Sequence, residues 1–139
     1  DVFEIAKLFL GKYKFREDYD FLIVDFHGEI TSEKMAMGYF FDGKATLLVG
    51  THTHIPTNDC RILTNGTAYL TDAGMCGDYD SVIGMNKINS LNRFLKKESK
   101  KHYPAEGEAT LSGLIVECNT SNGLAKKVET FIHGGELTK

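Results

Sequence analysis

Two short apolar runs, Phe21-Leu22-Ile23-Val24-Asp25-Phe26 and Ala45 to Val49, bracket a segment that reads as a helix from Thr31 or Ser32 to about Phe41, ended by Asp42-Gly43. Strand, helix and strand within about thirty residues form a βαβ unit, whose right-handed crossover makes the two strands parallel. That feature alone restricts the chain to an α/β or mixed α/β fold. Both runs are mostly apolar rather than alternating, which predicts strands covered on both faces. The intervening helix carries Met35, Met37, Tyr39, Phe40 and Phe41, so it is expected to pack between layers.

Around this unit the periodicity is conventional. Val2, Ile5, Ala6, Phe9 and Leu10 fall on one face of a helix over residues 2–11. Residues 60–64 and 67–71 flank Asn65-Gly66, which predicts a two-residue hairpin. A glycine-punctuated loop follows from Asp72 to Gly84. A surface helix is then expected over 87–97, with Ile88, Leu91, Phe94 and Leu95 inward. Residues 111–118 and 124–132 around Asn122-Gly123 predict a second hairpin. With 139 residues, 42% of them hydrophobic, the economical reading is one mixed α/β domain over residues 1–139.

Composition removes some functions. A net charge of −3 offers no basic footprint for nucleic acid, so a nucleotide ligand would need a local device such as a metal. No apolar run reaches the length of a membrane span, and no membrane partner is expected. Cys60, Cys76 and Cys118 leave one thiol over in any pairing scheme and read as reduced, mostly buried cysteines of a cytoplasmic protein.

Three of the five histidines stand where chemistry is expected. In open α/β sheets, ligands gather beyond the carboxyl ends of the strands. His27 falls at that end of the first run; His52 and His54 fall at that end of the second. Residues two apart in extended chain face the same side, so the three imidazoles can converge on a transition metal. Asp25 and Glu29 flank His27, and Asp25 can orient an imidazole from behind or simply be solvated. His102 and His133 read as surface or structural residues. The small residues of the loop Thr71 to Ser81 permit close approach to a ligand, or simply make a long turn. Cys76 has no adjacent base and makes a poor nucleophile.

Taken in order, the motifs carry a family likeness. Asp25-Phe26-His27-Gly28-Glu29, Thr31-Ser32-Glu33-Lys34, Gly50-Thr51-His52-Thr53-His54, Gly66-Thr67-Ala68-Tyr69-Leu70-Thr71-Asp72 and Asp80-Ser81-Val82-Ile83-Gly84-Met85 resemble the bacterial YmdB-like metallophosphoesterases over residues 20–95. Gly28 and Ile55-Pro56 depart from the family's common residues without removing a ligand. The resemblance implies the carboxy-terminal half of a calcineurin-like αββα sandwich with mixed sheets. It further implies a phosphodiesterase or phosphatase that hydrolyses cyclic nucleotides through a dinuclear centre of two divalent ions, iron or manganese, with zinc as another choice. His27, His52 and His54 would be metal ligands. The family's aspartate, its bridging glutamate beside an asparagine, and its Gly-Asn-His segment have no match here, so no catalytic residue is assigned in this chain and the substrate-binding residues are unknown.

Two adjacent cations, about 3.5–4 Å apart, need a bridging carboxylate that three histidines cannot supply. An isolated chain of this kind is therefore expected to bind at most one metal, weakly, and to hydrolyse little. The missing half, as a companion chain, or self-association as a homo-oligomer, is the expected complement. Two alternatives remain: a non-catalytic fragment or binding module, and a metal-dependent hydrolase of amidohydrolase type.

Overall fold

The computed structural model describes residues 1–98 and 100–138. Helix α1 (Val2–Lys12) begins where the Asp1 carboxylate accepts the Phe3 amide at 2.8 Å. It leads to β1 (Ile23–His27), α2 (Thr31–Phe41), β2 (Leu47–Thr51), β3 (Arg61–Ile62), β4 (Ala68–Leu70), β5 (Gly77–Asp78), α3 (Lys87–Phe94), β6 (Ala109–Cys118) and β7 (Ala125–His133), closed by a 3-10 turn at Glu136–Thr138. One sheet has the order β1-β2-β4-β3, with β1, β2 and β4 parallel and β3 antiparallel to β4. The other is the antiparallel sheet β5-β6-β7. The βαβ unit is present as expected.

The core lies under α2: Met37 and Phe41 pack with Ala6, Ala45, Leu48, Leu63 and Tyr69. Strand β4 is wholly buried. Strand β1 is not covered on both faces, contrary to expectation, because it is the edge strand and Ile23 is 67% exposed. Helix α2 likewise is covered on one side only, with Met35 and Tyr39 exposed. Its N-cap is Ile30, without a side-chain cap, rather than Thr31 or Ser32. On α1, Ala6 is buried while Val2 and Ile5 are exposed; Phe3 takes the inward place instead. Helix α3 stops at Phe94, and Ile88, Leu91, Phe94 and Leu95, expected inward, are all exposed. Asn89 and Ser90 are its buried residues.

The first hairpin differs in its turn. Leu63 and Thr67 pair across it (2.9 Å), the Gly66 amide donates to the Leu63 carbonyl (3.0 Å), and Gly66 has φ 101°. That is a three-residue loop of turn plus bulge, in place of the two-residue loop predicted, and only glycine takes that φ freely. The tip of the second hairpin is tied to the first sheet: Thr46 Oγ1 donates to the Gly123 carbonyl (2.7 Å), and the Ala125 amide donates to the Gly66 carbonyl (2.9 Å). Strand β5 lies within the expected loop. Cys76 is exposed rather than buried, and all three cysteines are free. Among the described residues no helix is long and apolar enough to cross a membrane.

Candidate metal centre

Parallel pairing builds the site. The register sets His27 opposite Thr51, so the next residue of the second strand, His52, emerges beside the His27 ring. His27 Nε2 lies 3.1 Å from His52 Nδ1, and the rings meet edge to face with centroids 5.0 Å apart. Both side chains are exposed.

The hydrogen bonds decide the tautomers. The Thr51 hydroxyl donates to Asp25 Oδ1 at 3.1 Å, so its oxygen is free to accept from His27 Nδ1 at 3.0 Å. His27 therefore carries its proton on Nδ1 and turns a bare Nε2 toward His52. Asp25 does support an imidazole from behind, through Thr51 rather than directly. His54 Nδ1 lies 2.8 Å from the Ile83 carbonyl, which can only accept, so its Nε2 is also bare. A ring whose second nitrogen is fixed by a carbonyl or hydroxyl is the usual arrangement of a metal-binding histidine. Glu29 is exposed and makes no such contact among those described.

The structure brings His27 and His52 together. It does not gather His54 with them: among the described residues no three His, Cys, Asp or Glu side chains form a group that could hold an ion. The donor chemistry of the pair still fits one. His52 Nδ1 donates to the bare His27 Nε2 across this contact, and with that proton released two nitrogens 3.1 Å apart are spaced as two ligands of one ion at a bond length of about 2.1 Å would be. His133 lies at the end of β7 and His102 on the surface, as expected.

The backbone of this segment is held in an unusual shape. His52 has φ 132° and His54 φ 65°, both in the region that favours glycine. What holds it is a buried ion pair that sequence reasoning passed over. Lys34 Nζ lies 2.9 Å from Asp72 Oδ2, with the two side chains 1% and 0% exposed. The same Oδ2 accepts the Thr53 amide at 2.8 Å, and Oδ1 accepts the Gly74 amide at 3.0 Å. Burial alone would raise the Asp72 carboxyl, but the Thr53 amide, the Lys34 ammonium and the Gly74 amide outweigh it and hold its pKa below the ordinary value. Asp59 behaves alike. Its burial is overcome by the Thr71 and Thr57 hydroxyls, the Thr71 amide and Arg61, and it anchors the turn after His54. A signal for Lys34 did exist: it sits three and seven residues before Met37 and Phe41, on the inward face of α2, where a charge needs a partner.

Close approach is also built in. A Cβ on Gly50 would stand 1.8 Å from the Thr71 carbonyl oxygen, and the Gly50 carbonyl accepts the Ala73 amide at 2.9 Å. The residue before Thr51 therefore has to be glycine for β2 and the loop after β4 to meet.

Comparison with known proteins agrees with this architecture. A 2′,3′-cyclic-nucleotide 2′-phosphodiesterase of Bacillus subtilis (strain 168) is 44% identical over 112 residues, covering 81% of this chain and 42% of that protein. A putative phosphatase/phosphodiesterase of Mycoplasma genitalium is 44% identical over 125 residues, 88% of this chain and 43% of the relative. The crystal structure of a hypothetical protein from Thermus thermophilus superposes with a TM-score of 0.87 at 34% identity, over 98% of this chain and 52% of that one. That of a novel phosphatase from Mycoplasma pneumoniae gives 0.85 at 38% identity, over 95% and 46%. The fold is thus the calcineurin-like phosphatase fold, over part of its extent. The amidohydrolase alternative is not favoured, since such sites generally sit in an eight-stranded barrel and the sheet here is open, with three parallel strands and one antiparallel. The chain spans less than half the length of these two sequence relatives. The model of the YmdB-like protein family matches residues 1–131, and the chain belongs to that family.

Proposed function

We propose that this chain contributes imidazole ligands to a metal-dependent phosphodiesterase or phosphatase whose substrates are cyclic nucleotides. The reading rests chiefly on the bare His27 Nε2 meeting His52 Nδ1 at the carboxyl ends of adjacent parallel strands, 3.1 Å apart. The names borne by the relatives from Bacillus and Mycoplasma support it. His27 through Nε2, His52 through Nδ1 and His54 through Nε2 would hold divalent iron or manganese, with zinc chemically acceptable. Bound there, the ions would acidify water and neutralise phosphoryl charge. The chain's own part is positional: Thr51 and Asp25 fix the His27 tautomer, and Asp72 fixes the segment that carries His52 and His54.

The remaining ligands, a bridging carboxylate among them, are expected from the other part of the family's fold. The exposed apolar residues Val2, Ile5 and Leu8 of α1, Phe21 before β1 and Ile23 within it, together with the free edge of β1, form the face on which that part would pack. Free cysteines fit a cytoplasmic setting.

The test is hydrolysis of 2′,3′-cyclic AMP and of bis-p-nitrophenyl phosphate, with Mn²⁺ or Fe²⁺, by the protein together with any chain that co-purifies. His52→Ala is expected to lose activity by about 100-fold or more, beyond what removal of a supporting residue costs. Undiminished hydrolysis by that variant would end the assignment of His52.

A further inference from the structure

Beyond the histidines, the segment after β5 and helix α3 enclose a cavity of about 420 Å³ whose walls include Ile83, Met85, Ser90, Arg93, Phe94 and His102. Four observations bear on its use. It touches one of the three candidate histidines, because the carbonyl of its wall residue Ile83 is the oxygen that accepts His54 Nδ1–H at 2.8 Å. Its volume lies in the range of small-molecule sites. Its side chains combine an apolar surface with two basic groups, Arg93 and His102. Finally, the Phe94 ring is 80% exposed, so packing leaves its face free.

We propose that this cavity is the base-binding subsite for the nucleotide, with the nucleobase stacked on Phe94 and its polar edge met by Arg93. The assignment rests on the phosphodiesterase reading above and deepens it. Every base has a π-face, so an aromatic platform gives affinity with little dependence on sequence. The Arg93 guanidinium on its wall supplies orientation. A base held here would direct the rest of the nucleotide toward His54, whose ring shares the Ile83 carbonyl with the cavity wall.

Equilibrium dialysis of adenosine, which has no phosphate to reach a metal, tests the subsite separately from the chemistry. The protein is used with any chain that co-purifies. Wild type is expected to bind adenosine. Phe94→Ala should weaken binding about 10-fold or more, and Phe94→Tyr should restore it, since tyrosine also stacks. Arg93→Met should weaken it by a smaller factor. Absence of adenosine binding, or equal binding by wild type and Phe94→Ala, overturns the subsite. Hydrolysis of bis-p-nitrophenyl phosphate by wild type reports on the parent reading alone. If hydrolysis is absent even when a chain supplying the remaining ligands is present, while adenosine binding depends on Phe94, the phosphoesterase assignment fails and the nucleoside site stands.

Discussion

Asp72→Asn isolates what the buried ion pair contributes. Asparagine keeps the shape and one carbonyl oxygen, so one of the two accepted amides, Thr53 or Gly74, retains a partner. What disappears is the negative charge 2.9 Å from Lys34 Nζ, on a lysine only 1% exposed. An ammonium buried without its partner costs about 3–5 kcal/mol. For 139 residues the unfolding entropy is about 0.3 kcal/mol per kelvin, so the melting temperature should fall by about 10–17 °C. The assay is urea unfolding and thermal melting of wild type, Asp72→Asn, Lys34→Met and the double variant. The double variant removes both charges and should recover most of the loss. Acid provides a second view. The Asp72 pKa is lowered in the folded state, so its stabilisation is complete above the unfolded carboxyl value near 4 and fades as pH falls from there through the lower folded value. The gap between wild type and Asp72→Asn should therefore narrow over that window. An Asp72→Asn variant within about 1 kcal/mol of wild type, or a double variant no better than the single, would refute the reasoning.

Two further substitutions probe the frame of the site. Gly50→Ala places a methyl 1.8 Å from the Thr71 carbonyl oxygen, so β2 and the following loop must part; a loss of at least about 3 kcal/mol in urea unfolding is expected. Thr51→Val keeps the volume but removes the hydroxyl between His27 and Asp25, and metal affinity measured by competition with a chelator should drop about 10–100-fold.

The βαβ unit and the placement of His27 beside His52 were legible because both follow from strand order and parallel register, which local apolar runs specify. Turn detail was not. Asn65-Gly66 fits two loop lengths equally, and the pairing of Leu63 with Thr67 depends on the neighbouring sheet. Burial was misjudged wherever it depends on what covers an element. Ile23 and the apolar face of α3 have the composition of core residues yet lie exposed, since periodicity states which residues share a face and says nothing of a partner layer. Lys34 and Asp72 escaped because their contact spans 38 positions. Only the oddity of a lysine among inward methionine and phenylalanine hinted at it.

The left-handed backbone at His52 and His54 sets design against chemistry. Such conformations cost a residue with a Cβ about 1–3 kcal/mol each, which glycine would avoid. A search for thermostable variants would therefore favour glycine at both positions, and every gain in melting temperature there would be won by deleting an imidazole. Selecting this chain for robustness alone would erase its candidate ligands first.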